Sequence, residues 1–130
     1  MLININLNIR KKLRCIVHLI NEYRRLMQVG KTTMLKRLAE AEGVNREYVT
    51  LDDITEREMA KNDPKLFLQL HKPPVFIDEV QYAPELFPYI KIYVDEHQQA
   101  GDFWLTGSQI FKLMDGVQES LAGRVCLLHM

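Results

Sequence analysis

The stretch Gln28-Val-Gly-Lys-Thr-Thr33 decides the fold of this chain, together with Val75-Phe-Ile-Asp-Glu79 further along. The first stretch matches the end of the phosphate-binding loop G-x-x-x-x-G-K-[ST], in which glycine lets backbone N–H groups approach phosphate. In such a loop Lys31 reaches the β- and γ-phosphates, and the hydroxyl of Thr32 ligates Mg²⁺. The stretch also opens a predicted helix, whose N-terminal N–H groups and dipole favour an anion.

The second stretch is an apolar strand that ends in two carboxylates. At the end of such a strand Asp78 can hold the metal and Glu79 can activate water. Either stretch alone has a plainer explanation, a chance Gly-Lys-Thr at a helix start or a solvated strand end. In this order, with room between them for a helix and a strand, they predict a nucleoside triphosphatase core.

The phosphate-binding loop departs from its full motif at one end. The motif requires a glycine five residues before Gly30, and that position holds Arg25. A buried parallel strand should also lead into the loop and be almost wholly apolar. Glu22 and Arg24 do not fit such a strand. The predicted sheet is therefore incomplete at its central first strand.

Composition and charge bound the remaining possibilities. The 130 residues allow one domain, and 47% apolar with 26% charged residues favours a packed core. A formal net charge of zero gives no basic field for nucleic acid, so nucleic-acid binding is not indicated. Cys15 and Cys126 fit a reducing compartment, and no apolar run approaches the ~20 residues that cross a bilayer. We predict a cytoplasmic protein without a membrane segment.

The periodicity of apolar residues predicts the order of elements. Alternation from Ile3 to Ile9 predicts a short strand with one wet face, and helical spacing predicts an amphipathic helix at 11–27. Further strands are predicted at 47–51, 75–78, 103–106 and 125–128, with helices from Lys31 to a C-cap at Gly43, after a capping box of Thr55 and Glu58, from Asp63-Pro64, and from about 84 to 99. Strands that alternate with helices predict an α/β fold, here a P-loop NTPase-like three-layer sandwich with a mostly parallel sheet.

Several polar side chains should meet at one edge of this sheet. Ligands of such folds bind beyond the carboxyl ends of the strands, where Lys31, Asp78 and Ser108 are all expected. Ser108 can orient the attacking water or sense the γ-phosphate, although without the flanking motifs a plain Gly-Ser turn would be the favoured interpretation. Arg124 can complement phosphate charge in cis or in trans, or be a surface arginine. Both alternatives stay open.

Five stretches carry a resemblance to a known family. They are Gln28-Val-Gly-Lys-Thr-Thr, Tyr48-Val-Thr-Leu-Asp-Asp, Pro74-Val-Phe-Ile-Asp-Glu-Val-Gln-Tyr-Ala-Pro-Glu-Leu-Phe, Leu105-Thr-Gly-Ser-Gln and Ser120-Leu-Ala-Gly-Arg. Together they resemble a prokaryotic AAA-type ATP-binding family over about residues 28–128. Members of that family usually carry a second, C-terminal domain similar to restriction-type nucleases.

The resemblance implies cofactors and residue roles. ATP and Mg²⁺ would be the cofactors. Nucleotide would be bound by Gln28, Val29, Gly30, Lys31, Thr32 and Thr33. Thr32 and Asp78, the Walker B aspartate, would hold the metal. Glu79 would be the catalytic glutamate, with Lys31, Ser108 of the sensor segment and Arg124 acting on the transferred phosphate.

The departures from the family pattern shape the expected function. The family places an apolar strand and Gly-Pro-Arg before the stretch that matches Gln28 onward, so about ten residues are expected to be absent, and a frameshift upstream would look similar. We also expect the helical lid and second domain to be missing. The chain is interpreted as an atypical segment, 1–27, followed by a truncated AAA-type core, 28–130. We expect ATP binding with little or no hydrolysis, possible homo-oligomers and an unknown protein partner; the alternative is a non-catalytic remnant or interaction module.

Overall fold

The computed structural model describes residues 2–5, 31–41, 43–97, 101–107 and 125–128. Within these residues the chain forms five strands and four α-helices. The strands are β1 (Leu2–Ile5), β2 (Glu47–Thr50), β3 (Val75–Asp78), β4 (Phe103–Thr106) and β5 (Val125–Leu128), and the helices are α1 (Lys31–Ala41), α2 (Ile54–Asn62), α3 (Pro64–Leu70) and α4 (Leu86–His97). A short 3₁₀ turn, Val80–Tyr82, follows β3. None of the helices in these ranges is long and apolar enough to cross a membrane.

The strands form one sheet in the order β2-β3-β4-β1-β5. Strands β2, β3 and β4 are parallel to one another, whereas β1 is antiparallel to both β4 and β5. Strand β5 therefore runs in the same direction as β2, β3 and β4. The predicted mostly parallel α/β sheet is confirmed, and the N-terminal strand β1 lies between β4 and β5, running in the opposite direction to both.

The alternation of side chains divides the sheet into two faces. On one face, the odd-numbered residues of the three parallel strands join the core formed with α2, α3 and α4. These core residues include Val49, Val75, Ile77, Phe103, Leu105, Ala60, Phe67, Leu86, Ile90 and Val94. On the other face lie the even-numbered residues, and Lys36 of α1 contacts this face at Tyr48. Helices on both faces make the three-layer arrangement of a P-loop NTPase-like fold.

Local side-chain chemistry sets the helix boundaries. Asp53 is the N-cap of α2, and its Oδ1 accepts hydrogen bonds from the N–H groups of Thr55 and Glu56 at 2.8 and 3.3 Å. The capping box predicted at Thr55 and Glu58 is therefore wrong, because a carboxylate two residues earlier satisfies the first N–H groups. Asp63 caps α3 by accepting from the N–H of Leu66, as predicted.

Most predicted elements are found close to their expected positions. The four strands after residue 46 match within one residue, and α4 is described from Leu86 to His97, so that its predicted end at 99 lies outside the described residues. Gly43 has φ +71°, a left-handed conformation that suits glycine after a helix end. The predicted N-terminal strand is described at Leu2–Ile5, and its remaining residues 6–9 and the predicted helix at 11–27 lie outside the described residues.

Candidate functional site

The carboxylate of Asp78 is the centre of the site. Asp78 is the last residue of the fully buried strand β3 and is itself only 6% exposed. Its Oδ2 accepts a hydrogen bond from the hydroxyl of Tyr48 at 2.9 Å. Its Oδ1 accepts from the hydroxyl of Thr106 and, at 3.1 Å, from the backbone N–H of Glu79. A buried carboxylate with donors on both oxygens is held in one orientation.

The two hydroxyl donors come from the neighbouring strands. In register, Thr50 of β2 lies opposite Asp78, and Ile77 lies opposite Leu105, which brings Thr106 of β4 beside Asp78. Thr50, Asp78 and Thr106 thus lie at the carboxyl ends of three parallel strands and on the same face of the sheet. Tyr48, the donor from β2, lies two residues before Thr50 and shares this face. The carboxyl ends of the strands form the edge at which ligands bind to such sheets.

Tyr48 is itself firmly placed. Its ring packs edge-on against Phe76 with centroids 5.1 Å apart, and the Lys36 ammonium lies 3.8 Å from its ring centroid. Burial, and then the hydrogen bond to Asp78, raises the pKa of Tyr48 to about 12. The phenol therefore stays protonated at neutral pH and remains a donor to the carboxylate.

Glu79 has an unusual backbone. Its φ of 58° and ψ of 42° are left-handed, a conformation that costs a non-glycine residue about 1–2 kcal/mol. The Gln81 side-chain amide donates to Oε2 of Glu79 from the 3₁₀ turn that follows. The hydrogen bond from Gln81 thus restrains the half-buried Glu79 carboxylate. Strain of this kind is concentrated at functional sites.

Helix α1 runs from the edge that holds Asp78 toward the opposite edge. Its end leads through Gly43 into the start of β2, so its last turn lies at the amino edge of the sheet. Lys36, in the middle of the helix, contacts Tyr48 in the middle of β2. Eleven residues of helix span about 16 Å, slightly more than a four-residue strand, which spans about 13 Å. The N-terminus of α1 therefore lies at the carboxyl edge.

The predicted site residues fall into two groups. Asp78 and Glu79 are described in full, and Lys31, Thr32 and Thr33 form the first turn of α1, where Thr33 is exposed. The side chains of Lys31 and Thr32 lie outside the description. The remaining predicted residues, Gln28, Val29, Gly30, Ser108 and Arg124, also lie outside the described residues.

A cavity of about 550 Å³ lies beside the face of the sheet that carries Tyr48. Its lining includes Lys36 of α1, Arg46 before β2, Tyr48 and Phe76. Because Tyr48 donates to Asp78, the cavity borders the residue that holds this carboxylate.

Sequence reasoning missed three residues around the carboxylates: Tyr48, Thr106 and Gln81. Tyr48 appeared only within a family motif, and Thr106 only as a strand end. For Tyr48 and Thr106 the sequence did contain a signal, namely polar side chains at alternating positions of predicted strands. Such side chains share one face of the sheet, and when they are buried they need hydrogen-bond partners there. Nothing in the sequence indicated the left-handed backbone of Glu79.

The comparisons with known proteins agree with this geometry. A family model described as an AAA domain matches residues 26–130. One uncharacterised protein of Mycobacterium bovis and one of Mycobacterium tuberculosis are each 34% identical to this chain over 103 residues. The aligned part is 79% of this chain but 23% of each relative, so the chain spans less than a quarter of these curated relatives. No solved structure matches the chain significantly. Because the family model covers most of the sequence, the chain belongs to the AAA domain family, with an ATPase-like nucleotide-binding core.

Proposed function

We propose that this chain binds ATP with Mg²⁺ at the carboxyl edge of its sheet, as an AAA-type ATPase core. The observation that carries the proposal is the Asp78 carboxylate, buried at the end of β3 and held by side chains from β2 and β4. Keeping a charged group buried is costly unless donors satisfy it, so a structural role alone would be served better by an apolar residue.

The phosphates would lie at the N-terminus of α1. There the first N–H groups have no partner within the helix, and the helix dipole favours negative charge. Gln28, Val29 and Gly30 would approach phosphate through their backbone, followed by Thr33 in the first turn. Lys31 would add a positive charge on the β- and γ-phosphates.

The residues present suit Mg²⁺ bound together with nucleotide. Among the described residues no group of three or more His, Cys, Asp or Glu side chains can hold a metal alone. Magnesium is typically bound by one or two protein oxygens together with substrate phosphates, and the Asp78 carboxylate and the Thr32 hydroxyl are oxygen ligands of that kind. When bound, the ion would neutralise charge that develops on the phosphates.

Glu79 would act as the general base in hydrolysis. Its carboxylate follows Asp78 directly, and the left-handed backbone with the Gln81 hydrogen bond gives it a fixed direction. Ser108 would orient the attacking water, and Arg124 would complement phosphate charge. Whether Arg124 acts within one chain or across a homo-oligomer is decided in the chain with an apolar strand and Gly-Pro-Arg inserted before Gln28, by mixing its Glu79→Gln and Arg124→Ala variants and measuring recovered turnover.

We also propose a cytoplasmic location. Cys15 and Cys126 are well separated in sequence and belong to no disulfide framework, as is usual in a reducing compartment. ATP and Mg²⁺ are both available to a protein there.

A second candidate function is a non-catalytic interaction module. Arg25 favours it, because a side chain where the loop needs glycine obstructs the approach of the backbone to phosphate. Under this alternative ATP would not stabilise the fold.

A thermal-shift experiment separates the two functions. ATP with Mg²⁺ at 100 times its dissociation constant would stabilise the parent by ~2.7 kcal/mol, roughly 8–11 °C in Tm for a domain of this size. Lys31→Ala should lose this shift. Lys65→Ala, on the exposed surface of α3 beyond the opposite face of the sheet, is the matched control and should keep it. Equal shifts for Lys31→Ala and the parent would refute the proposed site, and no shift in the parent would favour the interaction module.

A further inference from the structure

We propose that Tyr48 is a positioning residue of the magnesium site, which orients Asp78 toward the metal and links that carboxylate to helix α1. The proposal rests on the proposed function. It assigns a role to a residue of β2 that belongs to neither the phosphate-binding loop nor the Asp-Glu pair.

The first argument is the way in which the Asp78 carboxylate is held. Its two oxygens can exchange places or tilt by rotation about the bond to Cβ. Thr106 and the Glu79 N–H hold Oδ1, and Tyr48 holds Oδ2 at 2.9 Å. With donors on both oxygens the plane of the carboxylate is set, and with it the direction in which its lone pairs meet a ligand. Groups that orient metal ligands in this way contribute strongly to metal affinity.

The second argument is that the Tyr48 hydroxyl has little freedom of its own. Phe76 packs edge-on against one part of the ring, and the Lys36 ammonium lies 3.8 Å from its centroid. Both contacts involve the ring and not the hydroxyl. The ring is therefore positioned independently of Asp78 and acts as a rigid support for the hydrogen bond.

The third argument is the position of Lys36 in helix α1. It lies in the same helix as Lys31 and Thr32, a little more than one turn further along. A displacement of α1 when phosphate binds at its N-terminus would move the ammonium on the Tyr48 ring. Tyr48 thus connects the phosphate-binding end of α1 to the metal ligand on β3.

The experiment measures how much Mg²⁺ strengthens ATP binding. The dissociation constant of ATP is determined in excess Mg²⁺ and in EDTA, for the parent and for Tyr48→Phe. Phenylalanine keeps both ring contacts and removes only the hydroxyl. We expect unchanged affinity in EDTA and about tenfold weaker binding in Mg²⁺, the lower end of the effect of losing a group that orients a metal ligand. Tyr89→Phe, at an exposed tyrosine of α4, is the control and should behave as the parent.

Further variants test whether Tyr48 acts through Asp78. In an Asp78→Asn background, Tyr48→Phe should no longer change the effect of Mg²⁺. Lys36→Met, at an exposed position, removes the ammonium contact with the Tyr48 ring and should weaken ATP binding in Mg²⁺ by a smaller factor. If Tyr48→Phe does not fold, the proposal is tested with Lys36→Met instead.

The outcomes are distinct. If Tyr48→Phe weakens ATP binding equally with and without Mg²⁺, the role of Tyr48 is merely structural and the proposal is overturned. The proposal is also overturned if Mg²⁺ strengthens ATP binding as much in Tyr48→Phe, or in its substitute Lys36→Met, as in the parent. Failure of the proposed function looks different, since the parent would then bind no ATP and Lys31→Ala would change nothing.

Discussion

His71 should tie three elements together through its charged form, and replacing it should destabilise the fold most at low pH. The ring lies at the end of α3, with Nδ1 2.7 Å from Oε1 of Glu47 on β2 and Nε2 2.8 Å from Oε2 of Glu56 on α2. A neutral imidazole has only one N–H, so it can donate to only one carboxylate. The geometry on both sides requires the doubly protonated ring.

The sign of the pH dependence follows from the pKa. Burial of the ring by itself lowers the pKa of His71, but the hydrogen bonds to Glu47 and Glu56 outweigh it, so the pKa lies above the ordinary value of 6.5. The folded state then holds a proton that the unfolded state releases as the pH rises. The stabilisation is fully present below pH 6.5 and is lost as the pH rises through the folded pKa.

The size of the effect depends on how exposed the partners are. A hydrogen bond to a charged group contributes about 1.5–3 kcal/mol when it is well shielded. The side chains of Glu47 and Glu56 are 44% and 27% exposed, against 14% for His71. Exposed ion pairs contribute no more than about 1 kcal/mol. For His71→Gln, which keeps the possibility of neutral hydrogen bonds, we expect a loss of roughly 1.5 kcal/mol at pH 6.

The assay is urea unfolding of the parent and His71→Gln at half-unit steps from pH 6 to pH 9. The difference in unfolding free energy between the two proteins should shrink steadily as the pH rises, and contributions of other groups cancel in that difference. His97→Gln is the matched control, since His97 is exposed and its Nδ1 lies 3.0 Å from the backbone carbonyl of Tyr93 rather than from a carboxylate. A difference that stays constant or grows with pH would show that the ring is neutral and refute the reasoning.

Two further predictions concern a helix cap and turnover. Asp53→Ala should destabilise the fold by about 1 kcal/mol through loss of the α2 N-cap, whereas Asp52→Ala should change stability by less than about 0.5 kcal/mol; equal effects in urea unfolding would contradict the capping assignment. The unmodified chain should hydrolyse Mg-ATP poorly or not at all, Arg25→Gly should restore little, and inserting an apolar strand plus Gly-Pro-Arg before Gln28 should raise affinity and turnover. Family-typical turnover by the unmodified chain, abolished by Glu79→Gln, would disprove this.

Periodicity was sufficient to predict most of the fold, because strands β3 and β4 are buried on both faces and the helices on one. It could not predict the place of β1. An alternating pattern such as that from Ile3 to Ile9 identifies a strand but carries no information on its neighbours or its direction. The pairing of Leu2–Ile5 between β4 and β5 is a long-range contact, and only the folded chain reveals it.

Of the site residues that are described in full, only those that follow one another directly in sequence, at the end of β3, could be predicted. Asp78 and Glu79 were identifiable because two carboxylates directly follow the three apolar residues Val75-Phe-Ile77 of a buried strand. Tyr48 and Thr106 lie 30 and 28 residues from Asp78 in sequence, and the parallel register brings them to it. Side-chain hydrogen bonds between strands depend on that register. Parallel strands are joined by long crossover connections and not by short hairpin turns, so the local sequence does not reveal their register.

The antiparallel strand β1, which lies between β4 and β5, bears directly on the expected weak turnover. Asp78 does not need a P-loop strand to hold its place, since Tyr48 and Thr106 fix it from β2 and β4. The phosphate side is different: β1 runs antiparallel to β4, so its end at Ile5 pairs with Phe103 at the amino edge, away from the start of α1. Among the described residues no parallel strand leads into Lys31, and catalytic geometry tolerates only ~0.5 Å of error. We therefore predict that the phosphate-binding half of the site, and not the metal-binding half, limits hydrolysis. For that reason an inserted strand, rather than Arg25→Gly alone, should restore hydrolysis.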